Sequence, residues 1–222
     1  MLKTGLKAGL ITAVALLFGC SVCAAKPANS APESQESANA AQTLRQMTNS
    51  NKVPKTLLDQ ARCIGVIPNM TKAGLLVGGE HGSGLVSCRT SSGWSSPAFF
   101  GISGGSLGLE AGAQNSQIVL LMNNQGKQDL LQGKFQLSAK AVAAGPTGSN
   151  YSASAGWKAP VLSYKQSHGA YAGASIQGST ISMNSGDIHK VYGQNVTARQ
   201  VLSGKVQTPS QAQQFTNALP KG

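Results

Sequence analysis

The 222-residue sequence predicts a single α+β domain, built as an antiparallel β-sandwich or closed sheet with short N- and C-terminal helices. Between Ile64 and Gly112, short apolar runs alternate with glycines, as in short strands joined by tight connections. Charged residues make up only 11% of the chain and 27 residues are glycine, a composition typical of a β-rich fold and not of a helical bundle. The length suffices for one domain with a core of its own.

Residues 1–25 are predicted to be a targeting segment. Two lysines in the first seven residues precede an apolar run over residues 8–18, which is too short to span a bilayer comfortably. The four residues ending in Cys20 (LFGC) resemble a lipobox, in which Cys20 is acylated and becomes the mature N-terminus. We therefore expect an exported, periplasmic protein that Cys20 anchors to the outer membrane as a lipoprotein. Ordinary cleavage after Ala24 or Ala25 is the alternative.

Residues 26–40 contain no apolar residue larger than alanine, so we expect a flexible tether there, followed by the domain over residues 41–222. A short helix is predicted over residues 41–47. A second begins at Pro54, with Leu57 and Leu58 on one face. Lys52, Lys55 and Arg62 flank that face. A helix packed on the sheet is the simpler interpretation, and an amphipathic membrane-surface helix is the alternative.

The strands are expected to follow in order, separated by glycine-rich turns. They are predicted at residues 63–67, 73–79, 84–89, 98–103, 107–113, 117–122, 135–143, 153–156, 161–166, 170–177 and 180–184. The continuous apolar run over residues 118–122 predicts a buried strand. Residues 78–84 are glycine-dense, but their spacing does not match a phosphate-binding loop, so we predict a hairpin turn. Further helices are predicted near residues 124–131, from Asn195 or Thr197 to Leu202, and in the last segment up to Leu219.

Cys63 and Cys88 are the two cysteines that remain after the targeting segment. In an oxidising compartment two such cysteines usually pair, so a disulfide between them is expected. Two buried thiols are the alternative. After the targeting segment the sequence has no CxxC motif and no histidine at ligand spacing, and we expect no metal site and no cofactor.

No constellation of catalytic residues is recognisable, so the sequence predicts a protein that is not an enzyme. It contains seven acidic residues, three histidines and no nucleophile motif. Asp187 and His189 could form half of an acid–base pair, but they lack a third partner, and a surface turn is the favoured interpretation. The net charge of +11 favours anionic partners. The basic residues are scattered and not interleaved with aromatics, so nucleic acid is not expected as a partner.

Ordered blocks of sequence resemble the SYLF domain family. They include Val66-Ile67-Pro68, Lys72-Ala73-Gly74, Gly82-Ser83-Gly84, Trp94-Ser95-Ser96-Pro97, Gly105-Ser106-Leu107-Gly108, Ala144-Gly145-Pro146 and Tyr192-Gly193. The resemblance covers roughly residues 40–219. The domain occurs in eukaryotic actin-patch and phosphoinositide-binding proteins and in bacterial secreted or lipid-anchored proteins. The resemblance implies lipid binding and implies no catalytic residues.

Charge and resemblance together predict non-catalytic binding of anionic phospholipid at a membrane surface of the bacterial envelope. Basic side chains would meet lipid head groups while an apolar helix face inserts partly. Lys52, Lys55, Arg62 and Lys72 are the expected contacts. The alternative is an envelope structural or protein-interaction module with a protein partner and no lipid affinity of its own.

Overall fold

The computed structural model describes residues 32–74, 77–107, 112–146, 157–167, 170–172 and 176–221. The targeting segment with Cys20, the tether up to residue 31 and the strand predicted at residues 153–156 lie outside the described residues. The helices are α1 Pro32–Asn49, α2 Lys55–Gln60, α3 Asn124–Leu130, α4 Ser185–Tyr192, α5 Ala198–Leu202 and α6 Gln213–Thr216, the last preceded by a 3₁₀ turn, Ser210–Ala212. The first five strands are β1 Cys63–Gly74, β2 Val77–Thr90, β3 Gly93–Trp94, β4 Ala98–Leu107 and β5 Gly112–Met122. The other five are β6 Lys134–Gln136, β7 Val142–Ala144, β8 Val161–Ser167, β9 Ala170–Ala172 and β10 Thr180–Met183.

The described strands form one sheet in the order β6-β10-β4-β2-β1-β5-β8-β7, with β3 pairing to β2 and β9 to β8. All pairings are antiparallel except β7 with β8, which is parallel. The predicted α+β domain is confirmed. The predicted sandwich or closed sheet is not, because the described strands make a single open, curled layer.

The core lies on both faces of the sheet at its centre. Every residue of β1 from Cys63 to Ile67 is buried, and so is every residue of β5 from Ile118 to Met122, as the continuous apolar run predicts. One hydrophobic cluster joins these strands to α1, α2 and the C-terminal segment. A chain that begins at Lys26 therefore retains the whole described core.

Helix α1 corrects the predicted domain boundary. It begins at Pro32, so residues 32–40 are helical and do not form a tether. Ser37, Ala40, Leu44 and Met47 are spaced three or four residues apart and are buried along one stripe. The prediction was wrong because the small residues of this segment give no apolar pattern in the sequence. In a helix they allow the backbone to come close to its neighbours.

The long strands correct the predicted turns. Residues 78–84, predicted as a hairpin, lie within β2; all of them pair with β4, and residues 78–83 also pair with β1. Their glycines serve a close approach instead of a turn. The register of β1 shifts between Val66 and Asn69, and a Cβ at Gly84 would overlap the Val66 carbonyl oxygen.

The segment with Asp187 and His189 is helical, not the surface turn that the sequence suggests. Both residues lie in α4. In a helix, side chains that are two positions apart do not lie on the same face. Asp187 instead accepts hydrogen bonds from the Asn184 side chain and from Lys190 Nζ, the latter at 2.7 Å. The described residues contain no group of three or more acidic, histidine or cysteine side chains that could hold a metal ion.

A candidate anion-binding groove

The end of α1, α2 and the C-terminus enclose a groove of about 640 Å³, which we call the cationic groove. Its lining includes Leu44, Arg45, Val53, Lys55, Leu58 and Lys221. Leu44, Val53 and Leu58 are nearly inaccessible to solvent and form an apolar floor. Arg45, Lys55 and Lys221 are exposed and stand at its edges. Three cations from three separate chain segments therefore surround one apolar-floored groove.

A tight turn after α1 places Lys55 opposite Arg45. Asn51 adopts a left-handed backbone conformation with φ 54°, which asparagine tolerates better than most residues. The amides of Lys52 and Val53 donate to the Met47 carbonyl at 3.0 and 3.3 Å. Pro54 then precedes α2 in an extended conformation, and the buried Leu57 and Leu58 of α2 leave Lys55 and Asp59 exposed.

Two long-range hydrogen bonds bring Lys221 to the groove. The amide of Phe215 donates to Ser37 Oγ at 3.2 Å, in a buried position between α6 and α1. The indole Nε1 of Trp94 donates to the Pro220 carbonyl at 2.8 Å. The guanidinium of Arg89 lies over the Trp94 ring, 4.5 Å from its centroid, and completes this support.

The groove carries an excess of positive charge. Among the described residues, no side chain forms an ion pair with Arg45, Lys55 or Lys221. Asp59 also lines the groove, but its carboxylate is not within ion-pair distance of these cations. An anionic group could therefore bind there without displacing an existing partner of the three cations.

The structure separates the four expected lipid contacts. Lys55 lines the groove. Lys52 lies in the turn after α1, and its neighbours Asn51 and Val53 line the groove. Arg62 lines a different, smaller pocket. Lys72 lies in the outer half of β1, opposite Glu80, about 30 Å along the strand from Arg62. The four residues therefore do not form one surface.

Sequence reasoning missed Arg45 and Lys221. Arg45 lies within the helix predicted over residues 41–47, and the helical spacing of Leu44 and Met47 could have placed it on the exposed side of α1. Lys221 has no local signal, because its position depends on the docking of the last helix through Phe215 and Ser37.

Cys63 and Cys88 form a disulfide, with the two sulfur atoms 2.03 Å apart. The two residues face each other directly in the pairing of β1 with β2. Arg62 and Arg89, next to them in sequence, extend the same pairing through a hydrogen bond from Arg89 N to the Arg62 carbonyl at 2.7 Å. The bridge thus fixes the strand ends that adjoin α2.

Comparison with known proteins identifies the family. A family model described as "Ysc84: Las17-binding protein actin regulator" matches residues 103–221, which is more than half of the chain. The chain belongs to the Ysc84, or SYLF, family. The family predicted from the ordered sequence blocks is confirmed.

Curated relatives support the assignment. LAS seventeen-binding protein 3 of Saccharomyces cerevisiae is 34% identical over 165 residues, which cover 71% of this chain and 36% of the relative. Protein YSC84 of the same yeast is 31% identical and covers 83% of this chain and 42% of the relative. SH3 domain-containing YSC84-like protein 1 of Mus musculus is 30% identical and covers 87% and 59%. The chain thus spans between about a third and three fifths of the length of these relatives.

Proposed function

We propose that this SYLF domain binds anionic phospholipid at a membrane surface through the cationic groove, without catalysing a reaction. The observation that supports this most directly is the convergence of Arg45, Lys55 and Lys221 around the apolar floor formed by Leu44, Val53 and Leu58. Basic side chains attract anionic head groups, and an apolar floor favours the glycerol and upper acyl region of a lipid. The net charge acts in the same direction at longer range, since 18 − 2 = 16 basic and 7 acidic residues remain without the two lysines of the targeting segment, a charge of +9.

A matched pair of double variants tests whether lipid binds at the cationic groove. Each basic residue near an anionic surface contributes about 1 kcal/mol, so losing two weakens vesicle partitioning by about thirtyfold, and charge reversal weakens it further. Arg45→Glu with Lys55→Glu should therefore abolish most co-flotation with anionic vesicles. Lys140→Glu with Lys205→Glu makes the same charge change at exposed sites outside the groove and should retain most of it. Equal losses in both variants would show that binding depends on net charge and not on the groove.

We further propose that the protein works in the bacterial envelope, anchored through acylated Cys20. The lipobox-like LFGC sequence and the preceding apolar run support this. Cells that express the chain should incorporate a labelled fatty acid into it, and Cys20→Ala should abolish the label and release the protein from the membrane fraction. A wild-type protein without label, with its N-terminus at Ala25 or Lys26, would establish ordinary cleavage instead.

Binding of a protein partner is the second candidate. The description of the matching family model and the name of one compared yeast protein state that those relatives bind a protein, Las17. The same groove could hold an acidic peptide segment of an envelope protein. Failure to bind any vesicle, together with specific capture of one envelope protein that Arg45→Glu abolishes, would favour this function over lipid binding.

A further inference from the structure

A second, smaller pocket of about 270 Å³ lies beside Arg62 and shares no lining residue with the cationic groove. We call it the Trp157 pocket. It is lined by Gln60, Arg62, Asn123, Asn124 and Trp157. All five side chains carry hydrogen-bond donors, and none of them is acidic. The pocket is therefore suited to a ligand rich in acceptor oxygens.

The indole of Trp157 points to a missing acceptor. Its Nε1 atom is buried and makes no hydrogen bond. An indole N–H can only donate, and a buried donor without a partner costs free energy. Trp94, the other tryptophan of the chain, follows the usual pattern, since its Nε1 donates to the Pro220 carbonyl. Trp157 is thus a donor for which the part of the chain that the structure describes supplies no acceptor.

Two further cations, Arg89 and Lys127, lie near Arg62, although neither lines the pocket. The guanidinium of Arg89 donates to the Ala61 and Asp59 carbonyls at 3.1 and 3.2 Å, and Lys127 Nζ donates to the Arg89 carbonyl at 2.8 Å. Burial, and next the charge of Arg62, lower the pKa of Lys127. In the described part of the chain, no carboxylate forms an ion pair with Arg62, Arg89 or Lys127.

We propose that the Trp157 pocket binds a single phosphate group, carried by free phosphate or by a lipid head group. The Trp157 indole and the Arg62 guanidinium donate to its oxygens, and Lys127 contributes charge from nearby. Phosphate matches the pocket better than a carboxylate does, because it presents more acceptor oxygens and a larger negative charge to this set of donors. The volume fits a head group and leaves no space for acyl chains.

The two indole N–H signals in a nitrogen–proton correlation spectrum test this site separately from the groove. Trp94 reports on the groove, because its partner Pro220 lines the groove, and Trp157 reports on the pocket. The chain from Lys26 is titrated with inorganic phosphate at constant ionic strength, and Trp157→Phe assigns the signals. We expect a saturable shift of the Trp157 signal. Arg62→Gln should weaken the underlying affinity by about tenfold, as expected for losing a charge-assisted hydrogen bond.

Controls separate this proposal from the proposed function. Arg45→Gln with Lys55→Gln should leave the Trp157 shift unchanged, as should Lys140→Gln at an exposed position outside both sites. The proposed phosphate site would be wrong if neither inorganic phosphate nor glycerol 3-phosphate gave a saturable Trp157 shift, or if Arg62→Gln did not weaken the affinity. Neither result would contradict lipid binding by the cationic groove. Tighter binding of glycerol 3-phosphate would identify a lipid head group as the source, and equal binding would identify free phosphate. Loss of vesicle binding with an intact Trp157 shift would overturn only the groove.

Discussion

At the scale of single residues, the side chain of Glu36 is held in an unfavourable place. Its Oε1 atom is buried without a hydrogen-bond partner. Burial raises the pKa of the Glu36 carboxyl, a hydrogen bond with Ser83 lowers it, and the nearby Asp187 and Glu33 raise it further. The raised pKa means that the folded protein prefers the neutral form. This contribution to stability is present in full below the ordinary pKa of 4.5 and is lost as the pH rises through the folded-state pKa.

Glu36→Gln should therefore stabilise the protein at pH 7, by about 1 kcal/mol, because it removes a partly buried charge with little change of shape. The gain should disappear at pH 4 and below, where the glutamate itself is neutral. Urea unfolding of both proteins between pH 4 and pH 8 measures the difference. Glu33→Gln is the matched control: Glu33 lies 3.4 Å from Lys190 Nζ, so its neutralisation should bring no gain. A gain from Glu36→Gln that is constant across this pH range would contradict the argument.

At the scale of elements, strand β2 can cross the bulge of β1 only because glycine occupies position 84. An added methyl group would overlap the Val66 carbonyl oxygen, which belongs to the backbone and cannot rotate away. Gly84→Ala should lower the free energy of unfolding by about 3 kcal/mol. Gly105→Ala in β4 is the control, because a Cβ there meets no atom within 4 Å. Calorimetry that finds equal stability for the two variants would show that the contact at Gly84 relaxes without cost.

Some secondary-structure elements could be predicted from the sequence and others could not. The buried run Ile118–Met122, the cysteine pair and helix α5 depend on local pattern and on residue chemistry, and they were predictable. The length of β1 and β2 was not, because glycines within a strand look like turns until a neighbouring strand is known to need the space. The start of α1 was missed for a similar reason, since Ser37 and Ala40 become core residues only when the helix is docked.

At the scale of the molecule, two anion-binding sites would lie on either side of α2 and the adjoining start of β1. Lys55 on α2 lines the cationic groove, while Gln60 and Arg62 at the other end line the Trp157 pocket. The disulfide fixes the start of β1 at Cys63, directly after Arg62. Only part of this arrangement was predictable: Lys52, Lys55 and Arg62 are near in sequence, but Lys221 and Trp157 reach the two sites through tertiary packing. None of the helices that the structure describes is both long and apolar enough to cross a bilayer.

Flotation of the chain from Lys26, which lacks Cys20 and any acyl group, tests the central claim most directly. Vesicles of phosphatidylcholine alone are compared with vesicles that also contain phosphatidylglycerol, at low salt and at about 1 M salt, where the Debye length falls to about 3 Å. The account predicts that the protein floats only with the anionic vesicles and that high salt releases it. A protein that remains at the bottom with every vesicle, or floats equally with neutral ones, would contradict binding of anionic phospholipid by this domain.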